Sequence, residues 1–176
     1  MASKKSKRAP QAKPASNPPP PPTKGPQVKD LMSRSLATCR PSDSLAVAAQ
    51  IMWEKDCGVV PVTEADGRLV GVLTDRDACM AAYTQGKTLH SIPVESAMAS
   101  RVVTLHGTDP LAQAHELMRS HRLRRLPVVD DEHRLVGLIS LKDLALDAAE
   151  SARSQERQQL ALTLACISRR GVEETM

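Results

Sequence analysis

Residues 127–143 read PVVDDEHRLVGLISLKD, and residues 61–77 carry a second version of the same stretch, PVTEADGRLVGVLTDRD. The two stretches lie 66 positions apart and align without a gap. The same offset continues upstream, where Val28 matches Val94. A duplication of this length predicts two copies of one structural unit that pack against each other. Paired units leave clefts between them, and a cleft of this kind is the expected place for a ligand.

Each copy predicts the same order of elements, a β-α-β-β-α unit. A brief strand ends at Thr38 or Thr104, and a segment with Asp43 or Asp109 able to cap a helix follows it. Two strands joined by a turn come next, and a second helix starts directly after them. A unit of about 60 residues buries too little apolar surface to be stable alone, so we expect a core shared by both copies. The predicted fold class is α+β, with the two repeats packed pseudo-symmetrically.

The chain divides into four predicted regions: a disordered tail at 1–27, repeat 1 at 28–88, repeat 2 at 89–148, and a C-terminal helix and tail at 149–176. The tail is rich in proline and lacks an apolar stretch, which is typical of a segment that builds no core. The C-terminal region combines helix-forming residues with an apolar stretch around Leu160–Leu164. That helix either folds back on the repeats or contacts a partner, and the sequence leaves both readings open.

Charge is distributed unevenly along the chain. The net charge is +4, but the tail holds six cations and no acid, so the rest of the chain is close to neutral. A basic nucleic-acid-binding surface on the repeats is therefore not indicated, although the tail itself remains a candidate for anionic partners. The cations of the tail are Lys4, Lys5, Lys7, Arg8, Lys13 and Lys24.

Cysteine spacing and hydropathy bear on the compartment. The four cysteines form no C-x-x-C pair, which is typical of neither a disulfide framework nor a zinc site. The cysteine pattern fits a reducing cytosol, so we expect a cytoplasmic location. No run of eighteen apolar residues occurs, so we expect no membrane span. A redox role for Cys39 and Cys57 stays open. The five histidines show no metal-ligand spacing, and no nucleophile–base arrangement recurs, so we expect no metal and no enzyme activity.

The most specific local pattern is G-h-h-[ST]-x-x-D, where h is apolar, at 71–77 and 137–143. It leads a strand directly into a helix, with Thr74 or Ser140 at the N-cap. One interpretation is a capping box, in which the hydroxyl and the acid three residues later each bind the other's backbone amide. The other is a ligand site, because a helix N-terminus attracts phosphate and a carboxylate accepts hydrogen bonds from a ribose diol. The two roles can coexist.

Together these features make residues 28–148 resemble a tandem pair of cystathionine-β-synthase (CBS) domains, a Bateman module. The resemblance is carried by VKDLM at 28–32, the strand with a central proline, the LVG turn and the constant spacing. It implies two clefts between the repeats that bind AMP, ADP, ATP or S-adenosylmethionine, with no other cofactor. It also implies a homodimer.

The resemblance further implies that each cleft is completed by the opposite repeat. The first cleft would then comprise Thr74, Arg76, Asp77, Thr104, Arg124 and Leu126. The second would comprise Ser140, Lys142, Asp143, Thr38, Gly58 and Val60. We predict that the first cleft binds a nucleotide better, because arginines suit phosphate whereas the second offers mainly Lys142.

The leading hypothesis is a non-catalytic regulatory protein that senses an adenosine-containing ligand and acts on an unknown regulated protein. One alternative is a ligand-free interaction module that works through its surface or its C-terminal helix. A second is a nucleic-acid-associated factor that acts through the tail. An enzyme is disfavoured, because the residues for acid–base chemistry are missing.

Overall fold

The structure, a computed structural model, describes residues 25–150 and 154–169. The predicted disordered tail therefore lies almost wholly outside the described residues. The helices are α1 (Val28–Leu31), α2 (Leu45–Glu54), α3 (Asp75–Gln85), α4 (Leu111–His121), α5 (Leu141–Glu150) and α6 (Ser154–Ser168). The strands are β1 (Val59–Thr63), β2 (Leu69–Thr74), β3 (Leu105–His106), β4 (Arg125–Val129) and β5 (Leu135–Ser140).

Each repeat builds a small sheet around an antiparallel hairpin that is followed by a helix, which confirms the predicted fold class. In the second repeat the strand order is β3-β4-β5, with β3 parallel to β4 and β5 antiparallel to it. In the first repeat β1 and β2 are antiparallel, and a single parallel bridge from Cys39 to Val62 takes the place of β3. The brief strands were predicted to end at Thr38 and Thr104, but the pairing begins one residue after each of them.

Asp43 and Asp109 do not cap the helices that follow them, so that prediction is wrong. The N-caps of α2 and α4 are Ser44 and Pro110, and neither makes a side-chain capping bond. Each aspartate instead closes the turn before it, because its carboxylate accepts from an amide three residues upstream. The distances are 2.7 Å from the Arg40 amide to Asp43 and 2.8 Å from the His106 amide to Asp109.

The repeats exchange the segments that lead into them. We call residues 26–33 and 92–99 the crossing segments. The Val28 amide donates to the Asp109 carbonyl oxygen at 2.9 Å, and the Val94 amide donates to that of Asp43 at 2.8 Å. Further along, Ser33 pairs with Leu138 of the second repeat. The crossing segment with Val28 therefore packs on the second repeat, and the crossing segment with Val94 packs on the first.

This exchange replaces the expected shared core with two cores. The first contains Cys39, Leu45, Ala48, Met52, Val60, Val62, Leu73, Ala78, Ala81, Ile92 and Val94. The second contains Val28, Leu105, Leu111, Ala114, Met118, Leu126, Val128, Ile139 and Leu144. Each core is completed by a crossing segment, so each repeat depends on the other for part of its apolar interior.

The hairpin turns join the two sheets. The Leu69 amide donates to the His133 carbonyl oxygen, and the Leu135 amide donates to that of Gly67, both at 3.0 Å. These two bonds are related by the 66-residue offset, so they mark the pseudo-two-fold axis of the molecule. The predicted pseudo-symmetric packing is thus present at this junction.

Helix α6 folds back on the second repeat, which decides between the two readings of the C-terminal region. It packs on α4 and α5, and Leu160 and Ile167 contact the second core. His115 Nδ1 lies 2.9 Å from the Thr163 hydroxyl, and Arg119 donates to the Gln159 side chain at 2.7 Å. The opposite side of α6 leaves apolar side chains exposed.

Candidate functional site

The start of α3 is a capping box. The Asp77 amide donates to the Thr74 hydroxyl oxygen at 3.2 Å, and the Thr74 amide donates to Asp77 Oδ2 at 2.9 Å. The Thr74 hydroxyl also donates to Oδ2 at 2.7 Å. Two backbone donors at the helix N-terminus are satisfied in this way, as the capping interpretation predicted.

The start of α5 repeats the same geometry. The Asp143 amide donates to the Ser140 hydroxyl oxygen at 3.3 Å, and the Ser140 amide and hydroxyl donate to Asp143 Oδ2 at 2.7 and 2.6 Å. Both carboxylates thus use Oδ2 in the capping box. Within the described residues, Oδ1 of neither Asp77 nor Asp143 accepts a hydrogen bond. One oxygen at each helix N-terminus is therefore available to a ligand hydroxyl, so capping and ligand binding are compatible.

Each helix start lies beside the first residues of a strand of its own repeat. The Asp75 amide donates to the Gly58 carbonyl oxygen at 3.4 Å, and Val59 pairs with Thr74. In the second repeat, the Leu141 amide donates to the Arg124 carbonyl oxygen at 2.9 Å. The structure thus brings Gly58 to the Asp77 turn and Arg124 to the Asp143 turn. The sequence reasoning missed this grouping within one repeat, and its grouping across the repeats stays a prediction.

The predicted site residues differ in exposure. Val60 and Leu126 are fully buried in the two cores, so only their backbone atoms could meet a ligand. The exposed members are Thr38, Arg76, Arg124 and Lys142, and the half-buried members are Gly58, Thr74, Asp77, Thr104, Ser140 and Asp143. Within the described chain, Arg76, Arg124 and Lys142 form no ion pair with an acid, which leaves their charges for an anionic ligand.

The glycine of the motif has a packing role that the sequence reasoning missed. A Cβ atom on Gly71 would lie 2.7 Å from Met98 Sδ and 3.1 Å from the Ala99 carbonyl oxygen. A Cβ on Gly137 would meet the side chain of Met32 in the same way, with Cγ at 2.9 Å. Both methionines belong to crossing segments. Met32 and Met98 occupy matching positions in the repeat alignment, which was the available signal in the sequence. The alignment does not reveal which repeat each methionine contacts.

The cysteines give little support to a redox role for the pair Cys39 and Cys57. Cys39 is buried, and burial together with the nearby Asp43 carboxylate raises the pKa of its thiol to about 11. It is therefore a protonated, poorly nucleophilic thiol at neutral pH. All four cysteines are free. Among residues 25–150 and 154–169, no group of three or more His, Cys, Asp or Glu side chains is placed to hold a metal ion.

The length and hydropathy of the helices bear on a membrane role. In the parts of the chain that the structure describes, no helix has both the length and the apolar character needed to cross a bilayer.

Comparison with known proteins identifies the class of protein that this fold and these paired turns define. The family model of the CBS domain matches residues 28–83 and 94–149. The chain belongs to the CBS-domain family and carries two such domains in tandem. Domain pairs of this family are generally regulatory and non-catalytic.

Individual relatives have the same architecture. The CBS domain-containing protein YhcV of Bacillus subtilis is 39% identical over 129 residues, which cover 72% of this chain and 90% of YhcV. The CBS domain pair of protein MJ0100, solved with 5′-methylthioadenosine and S-adenosyl-L-methionine, is 29% identical with a TM-score of 0.62, and the match covers 69% of this chain and 98% of that one. CBSX2, solved in complex with AMP, is 26% identical with a TM-score of 0.65, and the match covers 73% and 100% of the two chains.

Proposed function

We propose that this protein is a non-catalytic regulator that binds an adenosine-containing ligand, AMP, ADP, ATP or S-adenosylmethionine, in the clefts at its two motif turns. The observation that carries the proposal is Oδ1 of Asp77 and Asp143, which accepts no hydrogen bond within residues 25–150 and 154–169, in carboxylates that a capping box holds at a helix N-terminus. A rigid carboxylate of this kind can accept hydrogen bonds from the ribose hydroxyls without leaving its place in the fold.

The surroundings of the turns suit the rest of such a ligand. Arg76, Arg124 and Lys142 have no ion-pair partner among the residues that the structure describes, and such cations suit phosphate or carboxylate groups through charge-assisted hydrogen bonds. MJ0100 and CBSX2, which bind adenosine compounds, support the same ligand class for this chain.

The proposal includes a homodimer and a separate regulated protein. Ligand binding can change the activity of that partner only if the ligand has different affinities for two arrangements of the module. A cytoplasmic location is part of the proposal, since four free cysteines fit a reducing compartment.

Calorimetric titration of the purified protein with each of the four ligands tests the ligand part. We expect Asp77→Ala and Asp143→Ala to weaken binding at their own sites by roughly 10- to 100-fold, because a hydrogen bond to a charged group contributes about 1.5–3 kcal/mol. Asp77→Ala is expected to cause the larger loss. A larger loss from Asp143→Ala would reverse the predicted ranking of the clefts.

Each substitution also removes a helix cap, which lowers stability by itself. Asp30→Ala is the matched control, because Asp30 accepts from the Gln27 amide at 2.8 Å in a capping box of α1 and belongs to neither predicted cleft. It should leave ligand affinity unchanged. Equal loss of affinity in all three variants, or no binding of any of the four ligands by the wild type, contradicts the proposal.

Arg124→Ala, combined with each aspartate variant, decides which cleft Arg124 serves. If the clefts are completed across the repeats, Arg124→Ala should cause little further loss of ligand affinity in the Asp77→Ala variant. In the Asp143→Ala variant it should cause the same loss as in the wild type. If the grouping within one repeat applies, the pattern is reversed. Such a double-mutant cycle separates the two because residues of one site couple and distant ones add.

A further inference from the structure

Two of the four cysteines line the same surface groove of the first repeat. The groove has a volume of about 500 Å³, and its wall contains Cys57 and Cys79 together with Met52, Trp53 and Asp75. Cys57 follows the end of α2, where its amide donates to the Met52 carbonyl oxygen at 3.0 Å. Cys79 lies in α3 and is exposed. The groove therefore collects two thiols that the whole β1–β2 hairpin separates in the chain.

The segments that carry the two thiols are in direct contact. The Asp75 amide donates to the Gly58 carbonyl oxygen at 3.4 Å, and a Cβ atom on Gly58 would lie 3.1 Å from Asp75 Oδ2. Gly58 is the residue after Cys57, and Asp75 lies one helical turn before Cys79 on the same face of α3. A disulfide requires Cα atoms about 4.4–6.8 Å apart, which is the spacing of residues in contact. Both thiols adjoin the one contact between Gly58 and Asp75.

The second repeat shows that the fold requires neither thiol. The 66-residue offset matches Cys57 to Leu123 and Cys79 to Ala145. Leu123 makes the same backbone bond as Cys57, because its amide donates to the Met118 carbonyl oxygen at 3.0 Å. Leucine and alanine thus occupy these places in an equivalent structure. Packing does not account for a pair of thiols here, so their chemistry is the property that distinguishes the first repeat.

The pairing of Cys39 with Cys57 that the sequence left open suits redox chemistry less well. Cys39 is only 2% exposed, and burial together with Asp43 raises the pKa of its thiol to about 11. Oxidants react with thiolates that solvent can reach. Cys79 is exposed and Cys57 is half-buried, so one thiol of this pair is open to an oxidant and the other lies behind it in the groove.

We propose that Cys57 and Cys79 are a redox-sensitive dithiol that a hydroperoxide converts into a reversible disulfide. With hydrogen peroxide, the Cys79 thiolate attacks one oxygen, the O–O bond breaks, one water leaves and Cys79 becomes a sulfenic acid. The Cys57 thiolate then attacks the Cys79 sulfur, the S–S bond forms, and hydroxide takes up a proton and leaves as water. The two thiols lose two protons and two electrons, which reduce the peroxide to two waters.

The disulfide would join the end of α2 to the start of α3, beside the capping box of Asp77. A reducing compartment returns such a bond to two thiols, which is typical of a redox-sensing pair rather than of a structural disulfide. The matching helix α5 carries no thiol, so the effect would be confined to the first repeat. The inference is independent of the proposed ligand, because the pair forms or fails to form whether or not a nucleotide binds.

Peptide mapping of the full chain after treatment with stoichiometric hydrogen peroxide tests the pairing. Trypsin cleaves after Lys and Arg, so Cys57 falls in peptide 56–68 and Cys79 in peptide 77–87. We expect these two peptides to be joined, and dithiothreitol to separate them. Two unmodified thiols, a Cys39–Cys57 link, a Cys79–Cys79 link between two copies, or overoxidation of Cys79 beside a free Cys57 overturns the inference.

The second repeat supplies the variants. Cys57→Leu and Cys79→Ala install the residues that it carries at these positions, so both should fold, which circular dichroism checks. Since Cys79 is exposed, its variant has the smaller effect on packing. Either substitution should abolish the joined peptides. Cys166→Ser is the matched control, because it removes a half-buried thiol on α6 and should leave the disulfide intact. Loss of the disulfide in Cys166→Ser contradicts the pairing.

Phenylarsine oxide tests the proximity of the reduced thiols without an oxidant. Its arsenic atom bonds two sulfurs and releases one water, so close thiols hold it against an excess of a monothiol. Wild type and Cys166→Ser should retain one arsenical, whereas Cys57→Leu and Cys79→Ala should bind it at least about 10-fold more weakly, because only one sulfur remains. Equal retention by all four proteins would show that the thiols lie too far apart.

Hydrogen exchange followed by mass spectrometry measures what the bond does to the fold. A covalent link between α2 and α3 restricts local opening, so oxidation should slow amide exchange in α3 by roughly 10-fold. Exchange in α5 should not change. No slowing in α3, or equal slowing in both helices, would overturn the proposed link between α2 and α3.

Discussion

At the scale of single residues, His115 illustrates how one side chain ties an added element to the fold. The Thr163 hydroxyl donates to the Gln159 carbonyl oxygen at 2.8 Å, so it accepts a hydrogen bond from His115 Nδ1–H. This contact fits a neutral imidazole. Burial lowers the pKa of His115, the nearby Arg119 lowers it further, and Glu156 partly opposes the shift. The fold therefore favours the uncharged form of this side chain.

The pH dependence of stability follows from that shift. Since the pKa of His115 lies below its ordinary value of 6.5 in the folded protein, the unfolded chain binds more protons as the pH falls through that region. Its stabilising contribution should be complete above about pH 6.5 and decline below it. Urea unfolding of wild type and His115→Gln should show a stability difference of about 1 kcal/mol at neutral pH that shrinks towards pH 5. A difference that does not change with pH would contradict the assignment.

At the scale of elements, the motif glycines show a requirement of tertiary packing. Gly71 and Gly137 lie in β2 and β5, where a side chain would be expected to favour the strand. They are needed because the methionine of a crossing segment lies directly against the backbone. Only a residue without Cβ lets Met98 and the Ala99 carbonyl approach β2 this closely.

We expect Gly71→Ala to destabilise the protein by about 1–3 kcal/mol, because overpacking forces the crossing segment away from β2. Gly107→Ala is a suitable comparison, since a Cβ there would lie 3.4 Å from Lys29 Cβ, which is close to ordinary contact. It should change stability far less. Chemical denaturation of both variants measures the difference. Equal effects would show that the approach of the crossing segment does not determine the choice of glycine.

At the scale of the whole molecule, the exchange of crossing segments makes the two repeats mutually dependent. Val28 and Val94 occupy matching positions in the alignment, but each is buried in the core of the other repeat. The residues that form one repeat in the sequence are therefore not the same set as the residues that pack around one core. Two small cores that complete each other bury more apolar surface than two separate units could.

Two matched variants test this exchange. Val28→Ala should lower amide-exchange protection first in β4 and β5, whereas Val94→Ala should lower it first in β1 and β2. The loss for each is about 2 kcal/mol, because both side chains are fully buried. Hydrogen exchange followed by mass spectrometry of strand peptides gives the readout. Loss of protection confined to the repeat that carries the substitution in sequence would contradict the exchange.

Several features of the site could be predicted from the sequence because they depend on neighbouring residues. The spacing of Thr74 and Asp77 sets the capping box, since both groups belong to one helical turn. The fold class followed from the duplication and from the alternation of strands and helices. The cap roles of Asp43 and Asp109 were wrong, because a carboxylate in such a turn can bind upstream amides as well as downstream ones.

The sequence by itself determined that this chain contains two copies of one α+β unit, each with a hydroxyl and a carboxylate at the start of its second helix. Those features depend on periodicity and on hydrogen bonds between residues three positions apart. Both are determined by residues that are close together in the chain. Only the tertiary structure decided that the repeats exchange their crossing segments, that α6 covers one repeat, and that Trp53 and Tyr83 remain exposed on the other. Contacts between residues far apart in the chain decide these points, and two equivalent repeats offer each segment two apolar surfaces of nearly the same pattern.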